Sequence, residues 1–294
     1  MKMLEFGHLY RMDYKAMAEF HWANKADITV AVQPVLKEEA KRFGILKREA
    51  NGRISSFVEK PKDPEVQKNF ISRDDPKSPF LGSMGIYMFK TKVLIDMLTD
   101  FPKHDDFGSD IIPEAIKSHA VYGFDFDGYW QDIGTIRSFY ETNLALTTPE
   151  TPFNFYDAKL PIYTDTRFLP GSIVEDSNLR DVLIAEGSRI LKSEISHSII
   201  GIRSQIASGC VIKDSIVMGS DYYERDEEGE SIGIGANCHI EGAILDKNAR
   251  IGSNVTIRPF PRNTDIDNEK WYVRDGIVLI PIDIEIPSGM TIPP

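Results

Sequence analysis

Isoleucine and valine recur at six- and five-residue steps through residues 184–257, and this repeat limits the fold more than any other feature of the chain. Ile184 and Ile190 are six apart, as are Ile200, Ile206 and Ile212, Ile234 and Ile240, and Ile251 and Ile257. Ile195, Val217 and Leu245 stand at five-residue steps between these sets. A short period of this kind predicts a parallel β-helix, in which each hexad forms one flat side of a triangular coil. The aliphatic side chains point inward, and stacked coils bury one continuous apolar column. SDYYERDEEGESI (220–232) is too acidic to fill a hexad and predicts an insertion at a coil corner. GIVLIPIDIEIPSGMTIPP (276–294) resumes the aliphatic pattern and is expected to close the last coils.

Upstream of the repeat the pattern changes to α/β. DYKAMAEFHWANKA (13–26) predicts a helix capped by Asp13, with Met17, Phe20 and Trp22 on a mixed apolar face. DITVAVQPV (27–35) predicts an alternating strand stopped by Pro34, and 43–61 two strands joined at Asn51-Gly52. Residues 62–79 predict a surface loop, 80–90 a buried strand and 91–101 a helix. A loop entering a short helix (104–119), an aromatic strand and turn (121–134) and a helix (135–147) follow. TPETPFNFYDAKLPIYTDTRF has three prolines and little periodicity. The expected organisation is one domain over 1–147, a linker over 148–168 and the β-helix over 169–294, and 294 residues suffice for both domains.

A net charge of −11 argues against a nucleic-acid or membrane-surface role, and any anionic substrate must meet locally placed cations. The only cysteines, Cys210 and Cys238, fall inside the repeat, where small residues pack at coil corners; the count suits a reducing compartment. No run of eighteen apolar residues predicts a transmembrane helix, and MKMLEFGHLYRMDY lacks the apolar stretch of a secretory signal.

Four short segments carry candidate chemistry. In FVEKP (57–61), Glu59 and Lys60 could share a sugar-phosphate site, the ammonium on phosphate and the carboxylate on hydroxyls. Strand neighbours point to opposite faces, so this requires the strand to end or twist before Pro61; otherwise the pair is a solvated strand end. In GSMGIYMF (82–89), Gly82 and Gly85 mark either close approach of a ligand, with Ser83 offering a hydroxyl, or close packing on a helix. DDFGSD (105–110) and YWQDIGT (129–135) set carboxylates beside aromatics, which suits a sugar ring or a hard metal such as Mg²⁺. Trp130 could equally anchor the core, and Asp132 could serve the N-terminal region of the helix at 135–147. The six histidines have no ligand-like spacing, and His197 and His239 are expected at coil corners.

Taken in order, HLYRMDY, ADITVAVQPV, GRISSFVEKP, SMGIYMF, DFGSDIIP, GYWQDIGTI and IGIGANCHIEGAILDKNARIG resemble ADP-glucose pyrophosphorylase (glucose-1-phosphate adenylyltransferase) over nearly the whole chain. The resemblance implies a Rossmann-like nucleotidyltransferase domain, here incomplete, followed by a left-handed parallel β-helix. It implies conversion of ATP and glucose 1-phosphate to ADP-glucose and pyrophosphate with Mg²⁺, toward glycogen or starch. It also implies an allosteric homo- or hetero-oligomer, a tetramer in the family, in the cytoplasm or, in a plant or alga, the plastid stroma. By the same resemblance Glu59 and Lys60 contact glucose 1-phosphate, with Lys60 on the phosphate. Ser83, Asp106, Phe107 and Trp130 line the glucose pocket, and Asp132 is one of two metal-binding aspartates.

Two departures qualify this. Nothing in the 294 residues matches the glycine-rich loop of the GGGxGTRLxPLT type that cradles the ATP phosphates, and Gly7 stands where the family has the other metal-binding aspartate. Ile282 stands where several members carry an activator-binding lysine. Three readings follow: a truncated pyrophosphorylase, a non-catalytic subunit that assembles through its β-helix, or a sugar-phosphate binding protein. The expectation is that the chain alone has no appreciable adenylyltransferase activity.

Overall fold

The computed structural model describes residues 7–223 and 229–294. They divide into two compact units, Tyr10–Trp130 and Gln131–Pro294, the second including the residues through Leu9.

In the first unit, Asp13 caps α1 (Tyr14–Ala23) by accepting the Lys15 amide at 2.9 Å. The buried face runs from Met17 to His21, four positions on, where His21 Nδ1 meets Thr29 Oγ1 at 2.8 Å. Trp22, expected on that face, is 70% exposed because it lies one residue past the stripe. The sheet has five strands: β2 (Ile28–Val35), β3 (Ile45–Arg48), β4 (Ile54–Val58), β5 (Phe80–Phe89) and β6 (Val121–Asp125). Their order is β4-β3-β5-β2-β6, with β2 parallel to β6 and the other pairs antiparallel.

β2 is an interior strand and is buried continuously from Ile28 to Val32, so the expected alternation does not hold: a strand covered on both faces is apolar throughout. Nor does Pro34 stop it. The Val32 carbonyl accepts the Phe126 amide, so Pro34, two residues on, turns its missing N–H to the same side, beyond the end of β6. β3 and β4 form the expected hairpin, with Gly52 at φ +87° and Asn51 Oδ1 accepting the Arg53 amide. The expected loop at 62–79 contains one short helix, α2 (Pro64–Lys68), because Asp63 caps it and Pro64 opens it. α3 (Thr91–Asp100), a π-helical turn (Phe107–Ile111) and α4 (Ile112–Ser118) complete the layer, packing Met97, Ile111 and Ile112 on Val30, Leu46 and Leu81. β1 (His8–Tyr10) and β7 (Trp130–Asp132) form a separate two-stranded ladder, and all but Tyr10 and Trp130 of it falls in the second unit.

The second unit opens with α5 (Ile136–Ala145), held by a capping box between Thr135 and Ser138. α5 lays Tyr140 and Leu144 against Ile216, Ile244 and Ile277 of the β-helix. β8 (Ile173–Glu175), β9 (Asn178–Ile184), β10 (Arg189–Leu191) and β11 (Glu194–Ile200) begin the coils. Ile190 pairs with Ile206 and Ile195 with Ile212, so a coil takes 16 or 17 residues in three sides. The hexad residues are the ones that stack. Ile190, Ile206, Ile234, Ile251 and Ile286 line one side in register. Ile195, Ile212, Ile240, Ile257 and Ile292 line the next, and Ile200, Val217, Leu245 and Ile280 the third.

Corners fall at left-handed residues every fifth or sixth position: Asp176, Asp181, Gly187, Lys192, His197, Arg203, Gly209, Asp214 and Gly219 all have positive φ. His197 is thus the corner residue expected, but His239 starts a strand side instead. The buried free thiols of Cys210 and Cys238 each follow a corner, Gly209 and Asn237. Two coils are lengthened. Ile206 pairs with Ile234, 28 residues on, which accommodates the acidic insertion; its residues 224–228 lie outside the described residues. Leu245 pairs with Ile280, 35 residues on, and the excess includes a hairpin of Ile266–Asp267 and Tyr272–Arg274 against Ile277–Ile280. Among the described residues no helix is long and apolar enough to cross a membrane.

Candidate functional site

The FVEKP segment does end its strand. β4 stops at Val58, and Lys60 takes φ +43°, a backbone conformation that L side chains rarely adopt and that functional segments sometimes retain. The Phe43 carbonyl holds it there by accepting the Lys60 amide at 3.2 Å. The turn brings neighbours to one side: Lys60 Nζ lies 3.3 Å from Glu59 Oε1. The pair is not simply solvated, since the Glu59 side chain is 26% exposed against 50% for Lys60. Burial pushes the Glu59 carboxyl above the usual carboxylate range; Lys60 opposes this and Asp106 adds to it.

Ser83 is buried in β5. Its amide donates to the Gly44 carbonyl at 2.7 Å, and its hydroxyl accepts the Gly85 amide at 3.2 Å. The two glycines differ in purpose. A Cβ on Gly82 would come within 2.3 Å of Val35 Cγ2, so Gly82 serves close packing, although against a strand residue rather than a helix. Gly85 has φ +72° and serves backbone shape.

Tyr87 is the residue that sequence reasoning missed. It shares a strand face with Ser83, four positions away, and its hydroxyl lies 3.4 Å from Ser83 Oγ. Burial, beside Glu59 and Asp106, pushes the phenol up to about 12, although the Ser83 hydrogen bond pulls the other way. Its period-two spacing from Ser83 was the available signal.

Asp106 and Phe107 open the π-helical turn. Asp106 Oδ1 accepts the Ser109 amide at 2.6 Å and the Ser109 hydroxyl at 3.0 Å, so one carboxylate oxygen shapes the turn. The Phe107 ring, 37% exposed, stacks on Tyr87 with centroids 5.8 Å apart. Glu59, Ser83, Asp106 and Phe107 therefore converge around Tyr87, with Lys60 beside Glu59. Trp130 is half-buried: its ring lies 5.0 Å from Phe43 and packs with Met17, Met84 and Phe126, so it does anchor a core cluster.

Asp132 belongs to the second unit. The cap of α5 is Thr135, which corrects the helix-capping alternative for Asp132; Asp132 Oδ1 instead accepts the Gly134 amide at 2.9 Å. Gly7 lies beside it in the chain trace, its carbonyl accepting the Ile133 amide at 2.7 Å. Burial lowers the His8 imidazole pKa, with Asp132 opposing. The donor set does not fit Mg²⁺ by itself. Gly7 has no side chain, and the described residues contain no group of three His, Cys, Asp or Glu side chains able to hold a metal.

Residues 3–149, half of the chain, match the nucleotidyl transferase family, and residues 167–291 match the GLGC left-handed parallel β-helix domain. The chain thus belongs to the nucleotidyl transferase family, and the joining of that domain to a GLGC β-helix is the signature of glucose-1-phosphate adenylyltransferase, or ADP-glucose pyrophosphorylase.

Proposed function

We propose that residues 10–130 carry the sugar-phosphate side of a glucose-1-phosphate adenylyltransferase, an enzyme of glycogen or starch synthesis that joins ATP and glucose 1-phosphate. Lys60 meets the phosphate as a point charge. Glu59 and Asp106 accept sugar hydroxyls, Ser83 offers its own hydroxyl, and Phe107 and Trp130 give apolar surface to the ring. The single observation that carries this reading is the left-handed Lys60, which sets an ammonium and a half-buried carboxylate on one side of the strand end. Backbone strain retained beside a half-buried carboxylate supports a ligand-binding role for this turn.

The same reading limits what the 294 residues do alone. They contain no match to the glycine-rich loop, and Asp132 has no aspartate at position 7 to share a metal with. The chain by itself binds glucose 1-phosphate without transferring an adenylyl group, and its β-helix supports assembly with further copies or with a catalytic relative. A pyrophosphate-exchange assay on the purified chain with ATP, glucose 1-phosphate and Mg²⁺ tests this. No exchange is expected; exchange that disappears in Asp132→Ala overturns it.

A further inference from the structure

Glu59 Oε2 lies in a slot with a glycine on each wall. A Cβ built on Gly108 would fall 2.7 Å from Glu59 Oε2 and 3.2 Å from its Cδ, and one built on Gly44 would fall 2.5 Å from the same oxygen. Separations under 3.0 Å are not found for real Cβ atoms, so a side chain at either position displaces the carboxylate. The two walls come from distant parts of the chain, Gly44 just before β3 and Gly108 inside the π-helical turn. Neither glycine has a positive φ, so backbone conformation does not demand glycine at these positions.

The two walls differ in one respect. A Cβ on Gly44 would also strike the buried Phe57 ring at 2.4 Å, so its absence serves the core as well. The next nearest atom to a Cβ on Gly108 is Asp106 Oδ1, at 3.4 Å, an ordinary contact. The groups nearest to it are thus carboxylates of the candidate site. The far end of a flexible side chain yields cheaply, so alanine at 108 costs the fold little and moves Glu59.

We propose that Gly108, together with Gly44, is a positioning residue: the missing side chain makes the slot that fixes the Glu59 carboxylate for recognition of sugar hydroxyls. This rests on the reading of Glu59 as a sugar contact. Fixing the acceptor in advance favours a ligand that presents hydroxyls at a set distance from the phosphate held by Lys60, and discriminates against phosphates without them.

The test is a double-mutant cycle on the full chain, with glucose 1-phosphate affinity read by titration calorimetry. Gly108→Ala is expected to weaken binding about tenfold, the scale of one misplaced hydrogen bond to a charged group. In the Glu59→Ala background, where there is no carboxylate to displace, Gly108→Ala is expected to change affinity by less than about twofold. A general structural role for Gly108 in the π-helical turn would cost the same in both backgrounds, and that result overturns the proposal. Should Gly108→Ala alone not fold, the Glu59→Ala/Gly108→Ala chain is expected to fold; if it does not, the role of Gly108 is structural and the proposal fails. A Glu59→Ala chain that binds as the parent does removes Glu59 from the sugar site, and the slot falls with it. Glu59→Ala weakening binding while Gly108→Ala leaves it unchanged removes the slot alone.

Discussion

The two units use left-handed backbone in opposite ways. In the β-helix it is periodic: positive φ recurs at the corners, on glycine or on non-glycine residues that are mostly Asn and Asp, the side chains that tolerate it best. In the α/β unit only Lys25 and Lys60 adopt it among described non-glycine residues, and Lys60 sits at the candidate site. Repeated strain is architecture, since each corner closes a coil whose burial offsets it. The strained Lys60 ends one strand beside a half-buried glutamate and recurs nowhere in register, which is why the proposed ligand role is placed there. The two units also bury apolar surface differently. The β-helix stacks identical positions in register, whereas the sheet is covered by helices of varied composition.

The contrast is broken or sharpened first at the stacked column. Ile240 is fully buried between Ile212 and Ile257, and Ile240→Ala is expected to destabilise the β-helix by about 2–5 kcal/mol in urea melts. Ile173, in the first coil and 57% exposed, has few neighbours to lose, and Ile173→Ala should stay within about 0.5 kcal/mol. Equal losses would mean that in-register stacking is not what holds the coils.

A smaller effect separates corner from site. Asn237→Val places a branched side chain at a corner with φ +56° and is expected to cost about 1–2 kcal/mol, with Asn237→Gly nearly neutral. Lys60→Gly relieves the same backbone strain, so thermal melts should show stability kept or slightly raised while glucose 1-phosphate binding falls. A Lys60→Gly chain that loses stability as Asn237→Val does would make Lys60 one more structural turn.

The smallest effect is in pH. The folded Glu59 carboxyl titrates above its unfolded value because burial disfavours the charge. The stability it contributes is full below the unfolded pKa and is lost as pH rises through the raised folded value. Glu59→Gln removes this loss, so its advantage over the parent in urea midpoint should be greater at neutral pH than in acid, by less than about 1 kcal/mol. Ligand affinity should move the other way in the parent, falling as pH drops through the same value, because a protonated Glu59 accepts fewer hydroxyl hydrogen bonds.

Much of the β-helix was legible because its constraint is local and repeated: each inward isoleucine is fixed by the flat side it occupies. The hairpin of 266–280 was not, since its short alternating strands share the aliphatic pattern of the coils they interrupt. In the α/β unit, Glu59, Lys60, Ser83, Asp106 and Phe107 could be named from motifs, but not their convergence. Nothing in FVEKP marks a lysine for left-handed backbone, since a following proline ordinarily favours extended backbone. Tyr87 was hidden in an apolar strand, where an aromatic is normally core. Gly108 gave no sign at all, because its role depends on a glutamate 49 residues away that only the fold brings near.

The most direct test of the central claim is a titration of glucose 1-phosphate into the parent chain and into Lys60→Ala at neutral pH without nucleotide. The account predicts saturable binding by the parent, weakened at least about tenfold by the loss of one charge-assisted phosphate contact. Equal affinity in the two chains, or no binding by a folded parent, would contradict it.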